Sequence, residues 1–327
     1  MKVINWGILG PGRIAHKFAT ALKGINDAKI YAVASRSNER SQSFAKKFGI
    51  EKTYVSYDEM ADDPKVDVIY IATPHSFHYE QTLMCLKKGK HVLCEKPFTI
   101  NSGQLGILIE QARKNNLFLM EAIWTRFLPT IENTIDIIKS GKIGKIKVIE
   151  ADFGFKAEYD PQSRVFNPDL GGGSLLDIGI YPVFLSLLLL GFPDDISAVA
   201  VKTDKGIDES MAISLGYKNG AIASLHSTFA AQTATKATIY CENGRIIINP
   251  KFNAPSSLQI IYNGQDPEEQ KFSYQLNGYE GEAIEVMRCL NKGLTESPML
   301  SWNFSIQLME LLDNLREKSG VIYPLYD

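Results

Sequence analysis

Cysteine, surplus charge and long apolar runs are all scarce in this sequence. Its four cysteines are spread over 327 residues without a Cys-x-x-Cys pair. That pattern argues against a zinc site, an iron–sulfur cluster or a disulfide framework, and it favours a reducing, cytoplasmic setting. Lys plus Arg number 35 and Asp plus Glu number 37, a formal net charge of -2. No overall field is therefore expected to draw the chain to nucleic acid or to an anionic membrane.

No segment is typical of a membrane anchor or a secretory leader. The most apolar run, residues 183–192, contains Ser186 and Gly191 and is shorter than the ~20 residues that span a bilayer, so it predicts a buried helix. Residues 1–7 hold one basic side chain and are followed by no small-residue cleavage site, so a signal peptide is not expected. The composition, 45% apolar and 22% charged, is that of globular domains, and the length favours about two of them.

Up to about residue 122, short apolar runs alternate with amphipathic segments. This alternation is typical of a parallel sheet covered by helices, and it predicts an α/β domain over residues 1–122 with a doubly wound Rossmann sheet. The predicted strands are residues 3–9, 29–34, 66–72, 91–94 and 117–121, and the predicted helices are residues 14–22, 39–48, 77–87 and 102–115.

Residues 123–327 follow a different pattern, which predicts a C-terminal α+β domain with an open, mainly antiparallel sheet. Three Asn-Gly pairs, at Asn219, Asn243 and Asn263, favour hairpin turns. Apolar side chains at alternate positions mark one face that needs a cover; they are Met211, Ile213, Leu215 and Tyr217. We expect the other face to pair with a second copy, giving a homodimer or homotetramer. The helices predicted here are residues 131–138, 175–190, 280–291 and 304–318, and one long strand is predicted over residues 146–155.

The first predicted strand ends in a glycine-rich turn. Residues Gly10 to Ala15 read Gly-Pro-Gly-Arg-Ile-Ala, a Gly-x-Gly-x-x-Ala pattern between a strand and a helix. Glycines there let the backbone approach a pyrophosphate, which then lies on the positive end of the helix. The pattern predicts a dinucleotide site that includes Gly10, Gly12, Arg13 and Ile14.

The second predicted strand ends without the acidic residue that usually accepts the ribose hydroxyls of NAD. Ser35 and Arg36 stand there instead, and they could bind a 2′-phosphate through a hydroxyl and a charged fork. This predicts a preference for NADP(H), with NAD(H) also possible. In the alternative reading, Arg36 is a solvated loop residue and Glu39 accepts the ribose.

Two further strand ends carry polar side chains. After the strand 66–72 come Thr73, Pro74, His75 and His78, which we expect to shape the cofactor crevice or merely to begin a helix. Two histidines without a nearby third ligand do not predict a metal site. After the strand 91–94 comes Glu95-Lys96-Pro97, where Lys96 is expected to reach the nicotinamide end of the crevice, although a lone lysine is more often a solvated surface charge.

A helix further along the chain offers a proton-transfer group. Asp177 and Tyr181 are four residues apart, a spacing that puts both on one face of an α-helix. Oxidation of an alcohol needs a group that takes the hydroxyl proton, and a tyrosine does this better beside an ammonium that favours its phenolate. Lys96 could supply that ammonium, and Asp177 could orient Lys96 or bind a substrate hydroxyl. Alternatively, Tyr181 only caps the apolar face of its helix.

These motifs, in this order, resemble the glucose-fructose oxidoreductase/inositol dehydrogenase (Gfo/Idh/MocA) family. The chain has Gly-x-Gly-x-x-Ala, then Glu-Lys-Pro, then Gly-Gly-Gly-x-x-x-Asp-x-Gly-x-Tyr from Gly171 to Tyr181. Three longer strings, at residues 120–129, 175–182 and 296–299, are similar to the dimeric dihydrodiol dehydrogenase branch, which includes NADP-linked xylose dehydrogenases. Many family members have His where this chain has Tyr181, which argues against the inositol dehydrogenase branch.

The resemblance implies site residues and an activity. Lys96 and Tyr181 would be the catalytic pair, with Asp177 as their polar neighbour. Trp124 and Phe153 would be substrate-pocket aromatics, Glu95, Trp124 and Arg126 would lie by the cofactor, and Arg126 and Arg164 would face the pocket or form salt bridges. The implied reaction is hydride transfer between NADP(H) and a hydroxyl-bearing carbon of a sugar, polyol or cyclic trans-diol. The alternatives are a cofactor-dependent glycosidase and a non-catalytic NADPH-binding redox sensor.

Overall fold

The computed structural model describes residues 3–327, and this part of the chain divides into two compact units. The first unit contains the residues up to Trp124 together with Gln275–Ile306, and the second contains Thr125–Tyr274 and Gln307–Asp327. The sequence pattern changes once, near residue 122, and does not predict that a later segment returns to the first unit. The domain boundary at residue 122 stays a prediction.

The first unit is built on a parallel sheet. Within residues 3–327 this sheet has six strands in the order β3-β2-β1-β4-β5-β6, and the strand order reverses between β1 and β4. Ligands of such sheets bind at the carboxyl ends of the strands beside that reversal. The strands are β1 (Ile4–Leu9), β2 (Ala28–Ala34), β3 (Lys52–Tyr54), β4 (Val68–Ile71), β5 (His91–Glu95) and β6 (Leu119–Ala122).

Helices cover the sheet, whose strands are apolar on both faces, as the runs of Val, Ile and Leu require. The helices of this unit are α1 (Arg13–Leu22), α2 (Asn38–Phe48), α3 (Tyr57–Asp62), α4 (His78–Lys87), α5 (Ser102–Lys114) and α8 (Glu280–Asn291). The predicted strands and helices of this domain are confirmed with ends within two residues, whereas β3 and α3 are too short for their periodicity to show in the sequence.

The second unit contains a mixed sheet. In the described chain it has eight strands in the order β14-β13-β12-β11-β7-β10-β9-β8, and every neighbouring pair is antiparallel except β7 and β10. The strands are β7 (Ile146–Gly154), β8 (Asp195–Lys202), β9 (Asp208–Gly216), β10 (Ile222–Thr228), β11 (Ala237–Cys241), β12 (Gly244–Ile248), β13 (Ser257–Tyr262) and β14 (Glu268–Lys271). The remaining helices of the chain are α6 (Pro129–Lys139), α7 (Ile180–Leu190) and α9 (Trp302–Ser319).

The predicted hairpins and the predicted apolar face are confirmed. Each Asn-Gly pair lies between two antiparallel neighbours, and Met211, Ile213, Leu215 and Tyr217 are all buried. The stretch Pro168–Leu190 is long and apolar enough to cross a membrane, but 83% of its apolar window is buried inside the protein. That burial is typical of a core helix.

Candidate functional site

The glycine turn after β1 forms a cradle that a side chain would fill. Gly10 has a φ of +88°, and a Cβ built on it would lie 2.8 Å from Thr73 Cγ2, so both the conformation and the space there require glycine. Gly12 precedes α1 and places no side chain over the first turn of that helix, so the amides of Arg13 and Ile14 are left to an anion. The residues therefore fit a dinucleotide pyrophosphate.

An open cleft of about 480 Å³ adjoins this turn. It is lined by Pro11, Gly12, Arg13, His16, Ser37, Glu39, Arg40, Ser43 and Phe44. Sequence reasoning missed Arg40 and His16 as candidates, although Arg40 stands in the first turn of α2, three residues after the capping Ser37. The cleft is lined by the guanidinium groups of Arg13 and Arg40 and by the Glu39 carboxylate, whereas Ser35 and Arg36, on which the NADP prediction rests, are not among its lining residues.

The loop between β2 and α2 is ordered by its own serines. Ser35 is buried, and its Oγ accepts a hydrogen bond from the Ser37 N–H at 3.2 Å. Ser37 in turn caps α2 by accepting from the Arg40 N–H. The Arg36 guanidinium lies 5.6 Å from the centre of the Phe77 ring, an arrangement that holds a cation over an aromatic face.

His78 links the loops that follow β4 and β5. It is fully buried, its Nδ1 lies 2.8 Å from the Pro97 carbonyl oxygen, and its Nε2 lies 3.0 Å from the Thr73 carbonyl oxygen. His75 is also buried, beside His78. His78 therefore joins the loop after β4 to the turn that carries the half-buried Lys96.

Two carboxyl groups at strand ends are neighbours of Lys96. Glu95 precedes it in the chain, and Glu121 is close enough for the Lys96 charge to lower its pKa. Glu95 is buried and accepts a hydrogen bond from the Tyr70 hydroxyl. Glu121 accepts from the Phe98 N–H at 3.0 Å and from Ser305 Oγ. Burial raises the pKa of Glu121 to about 7, against the lowering effect of these hydrogen bonds and of the Lys96 charge.

In the second unit, Tyr181 and Asp177 lie on one helical stretch. The Tyr181 ring is buried and its centre is 5.7 Å from that of Phe153. Arg164 holds Asp177 with a two-pronged ion pair, Nη1 to Oδ1 and Nη2 to Oδ2, both 3.0 Å. The Arg164 side chain is 44% exposed and that of Asp177 only 9%, so a solvent-facing cation fixes a buried carboxylate.

The predicted continuous α-helix over residues 175–190 is wrong at its start. Leu175–Gly179 form a π-helical turn, in which the Ile180 N–H donates to the Leu175 carbonyl five residues back, and α7 begins after it. Pro182 explains the difference, because proline has no N–H and its ring crowds the carbonyl four residues earlier, that of Ile178. The four-residue spacing rule therefore does not apply directly to Asp177 and Tyr181.

A buried network supports this turn. Asp208, at the start of β9, accepts hydrogen bonds from Ser174 Oγ at 2.7 Å and from the Leu175 N–H at 2.6 Å. Ser174 Oγ also lies 2.9 Å from Ser227 Oγ. Burial raises the pKa of Asp208 to about 6, partly offset by these hydrogen bonds. Sequence reasoning missed all three residues, because their side chains come from separate segments of the chain.

Two candidates that remain, the aromatic Trp124 and the basic Arg126, each have a partner close by. Trp124 is buried and stacks on Tyr279 with ring centres 4.2 Å apart. Arg126 forms an ion pair with Glu132. The salt-bridge alternative for Arg126 and Arg164 is therefore present in the structure. Among residues 3–327, no group of three or more His, Cys, Asp or Glu side chains could hold a metal ion.

Comparison with known proteins adds a family and named relatives. A family model described as "Oxidoreductase family, NAD-binding Rossmann fold" matches residues 4–123, and one described as "GFO/IDH/MocA C-terminal domain" matches residues 132–247. A trans-1,2-dihydrobenzene-1,2-diol dehydrogenase of Xenopus laevis is 40% identical over 98% of this chain and 99% of that protein. The Homo sapiens protein of the same name is 34% identical over 98% of each chain.

Solved structures are similar over almost the whole chain. A 3-ketoreductase from Actinomadura kijaniata, in complex with NADP and TDP-benzene, is 27% identical with a TM-score of 0.86, covering 97% of this chain and 98% of that one. An aldose-aldose oxidoreductase from Caulobacter crescentus, complexed with glycerol, is 23% identical with a TM-score of 0.89, covering 98% of each. The second likeness bears on the fold alone.

Proposed function

The chain belongs to the Gfo/Idh/MocA family of NAD(P)-binding oxidoreductases, and on that premise we propose that it interconverts an alcohol and a carbonyl on a sugar, polyol or cyclic trans-diol, with NADP(H) preferred. The proposal depends most on the position of Lys96. It follows β5 at the carboxyl edge of the parallel sheet, the edge at which the glycine turn is built to receive a dinucleotide.

The chain's own residues would hold the cofactor from two sides. The first-turn amides of α1 and the Gly10 turn would bind the pyrophosphate, and Ser35, Arg36 and Arg40 would bind the 2′-phosphate. The nicotinamide, when bound, supplies a carbon that accepts or donates hydride. Trp124 and Tyr279 would provide aromatic surface beside it.

Proton transfer is assigned to Tyr181 and Lys96. Tyr181 would take the hydroxyl proton of the substrate as hydride leaves the same carbon, and it would return the proton in the reverse direction. The Lys96 ammonium would favour the phenolate that this exchange needs. Asp177, held by Arg164, would accept a hydrogen bond from a second substrate hydroxyl rather than take part in proton transfer.

The test of the reaction is a turnover assay with NADP and NAD across aldoses, inositols and cyclic diols. We expect NADP reduction with one of these classes and its loss in Lys96→Met. Full turnover in Lys96→Met would contradict the proposed chemistry. Silence across the panel, with NADPH still bound, would contradict the proposed substrate class.

The NADP preference has its own pair of variants. Removing the Arg36 guanidinium takes away a charged hydrogen bond worth about 1.5–3 kcal/mol, so Arg36→Ala should raise KM for NADP roughly tenfold or more and leave KM for NAD almost unchanged. Glu39→Ala is the matched control, because it should lower KM for NADP by removing a repulsive charge. If Glu39→Ala instead raises KM for NAD, Glu39 is the ribose acceptor and the preference is wrong.

The opposite face of the β8-β9-β10 region is our proposed contact with a second copy. Val199, Val201 and Ile222 are 73%, 59% and 50% exposed, and large exposed side chains grouped on one sheet face are typical of a subunit interface. Light scattering should give a homodimer or homotetramer. Val199→Lys with Val201→Glu should shift the mass toward that of one chain.

A further inference from the structure

One carboxyl group in the core of the first unit has no hydrogen-bond partner. Glu282, on α8, is fully buried, and neither of its carboxylate oxygens makes a hydrogen bond with any part of the chain that the structure describes. An ionised carboxylate in that position would lose its hydration without compensation. Burial raises the pKa of Glu282 well above its ordinary value, and the negative charge of Glu95 raises it further.

Contacts in the core place Glu282 and Glu95 on the same side of the parallel sheet. Tyr70 donates its hydroxyl hydrogen bond to Glu95 and stacks on Phe18 of α1, with ring centres 3.8 Å apart. Helix α8, which carries Glu282, packs against α1. Two carboxyl groups in one dry region cannot both be charged at moderate cost, so one proton must stay with the pair.

Other titratable groups around the pair do not remove this cost. Glu121 pairs in register with Cys94, so it belongs to the opposite side of the sheet from Glu95. Beside the two glutamates, the nearby titratable groups are Tyr70 from β4, Lys96 after β5 and Tyr279 before α8, whereas Cys94 and Glu121 lie on the other side of the sheet. Lys96 is the only cation in this set of the described residues, and it directly follows Glu95.

Glu285, one turn along the same helix, shows what a stabilised carboxylate looks like. Arg288 binds both of its oxygens at 2.6 and 2.7 Å, and Ser297 Oγ donates to it. Burial pushes the pKa of Glu285 upward, but these hydrogen bonds outweigh burial and lower it. Both glutamates are almost fully buried, so the difference between them is the presence of partners.

We propose that Glu282 is a positioning residue that keeps its proton at neutral pH, so that of the two glutamates only Glu95, the residue before Lys96, carries a negative charge. The inference rests on the proposed role of Lys96 in proton transfer. A second charge would hold the Lys96 ammonium more strongly from the protein side and weaken its effect on a phenol. Ionisation of Glu282 at high pH therefore lowers kcat.

The proton itself is observable without turnover. Infrared spectra of the full, ligand-free chain at pH 7 should show the C=O stretch of a protonated carboxyl group, and the difference between wild type and Glu282→Gln should contain the loss of one such band. Glu285→Gln, the same change one turn away, should remove a carboxylate band instead. An unchanged protonated-carboxyl band in Glu282→Gln overturns the proposal.

The effect on Lys96 is read from the pH profile of kcat. In Glu282→Gln the alkaline fall of kcat should lie at higher pH than in wild type, since a neutral amide cannot ionise. Glu282→Leu cannot ionise either, so it should share the alkaline limb of Glu282→Gln. An alkaline limb in Glu282→Gln identical to that of wild type would mean that Glu282 only fills space. If Lys96→Met retains turnover, the proposed function fails, whereas the infrared test still decides the protonation of Glu282.

Discussion

The candidate site residues of the two units are held in place by different means. In the first unit, Gly10 and Lys96 are positioned by the main chain, because each follows a strand of the parallel sheet. In the second unit, Asp177 is held by the Arg164 fork, and the turn that carries it is held by Asp208. Positioning by the main chain depends on backbone conformation, which glycines and strand ends determine. Positioning by side chains depends on single partner residues, and one substitution removes each of them.

The largest effect should come from the two residues assigned to proton transfer, one in each unit. Lys96→Met and Tyr181→Phe should each lower kcat by about 10²–10⁴-fold, because positioned acid–base groups contribute on that scale. The Kd for NADPH should change little. Steady-state kinetics and fluorescence titration of NADPH give the two quantities.

The double variant decides whether Lys96 and Tyr181 act as one group. If they do, Lys96→Met with Tyr181→Phe should be about as slow as the worse single variant. If instead the two losses in kcat multiply, the two residues contribute independently. Each unit would then supply its own separate contribution to the reaction.

Main-chain positioning can be broken at one glycine. Gly10→Ala puts a Cβ 2.8 Å from Thr73 and forces a positive φ on a residue with a side chain, so the Kd for NADPH should rise tenfold or more. Gly106, inside α5, has open space around its Cβ position. Gly106→Ala should leave the Kd unchanged and raise stability by about 0.5–1 kcal/mol. Equal Kd values for the two variants would contradict the proposal that the Gly10 turn binds the dinucleotide.

Side-chain positioning can be broken without touching the reacting groups. Arg164→Ala should lower kcat/KM about tenfold, since Asp177 loses both of its 3.0 Å hydrogen bonds and Arg forks hold carboxylates in one orientation. Arg164→Lys should recover only part of this, because an ammonium cannot reproduce the fork. Arg288→Ala, which breaks a similar two-pronged ion pair with Glu285, is the control for loss of a cation. An equal loss in Arg288→Ala would remove the special role of Arg164.

The same contrast explains how much could be predicted from the sequence. Gly10, Lys96 and the Asn-Gly hairpins follow from local patterns, since strand ends and turns are encoded by neighbouring residues. Asp208 and Glu282 could not be predicted, because their environments are set by segments far away in the chain: Ser174 is 34 positions from Asp208. The π-helical turn had a local signal in Pro182, whose ring disrupts the preceding turn.

Asp208 should also make the stability of the folded chain depend on pH. Its pKa is raised to about 6 by burial, so the folded chain keeps a proton that the unfolded chain loses above its ordinary value near 3.8. Stability must therefore fall as pH rises from about 4 to about 6, by at most about 3 kcal/mol, and stay level above that. Asp208→Asn keeps one acceptor oxygen and cannot ionise, so its Tm relative to wild type should rise across this window.

A second aspartate of the same unit supplies the opposite sign. Hydrogen bonds from the Lys218 backbone and side chain lower the pKa of Asp194, so its stabilisation is present above its ordinary pKa and is lost as pH falls through the lowered value. Asp194→Asn should therefore lose Tm relative to wild type at neutral pH, and the difference should shrink toward acid. Between pH 4 and 6 the Tm difference should therefore change for Asp208→Asn and stay level for Asp194→Asn, whose difference changes only below about pH 3.8. A level difference for Asp208→Asn in that window would mean that the Asp208 network does not hold a proton in the folded chain.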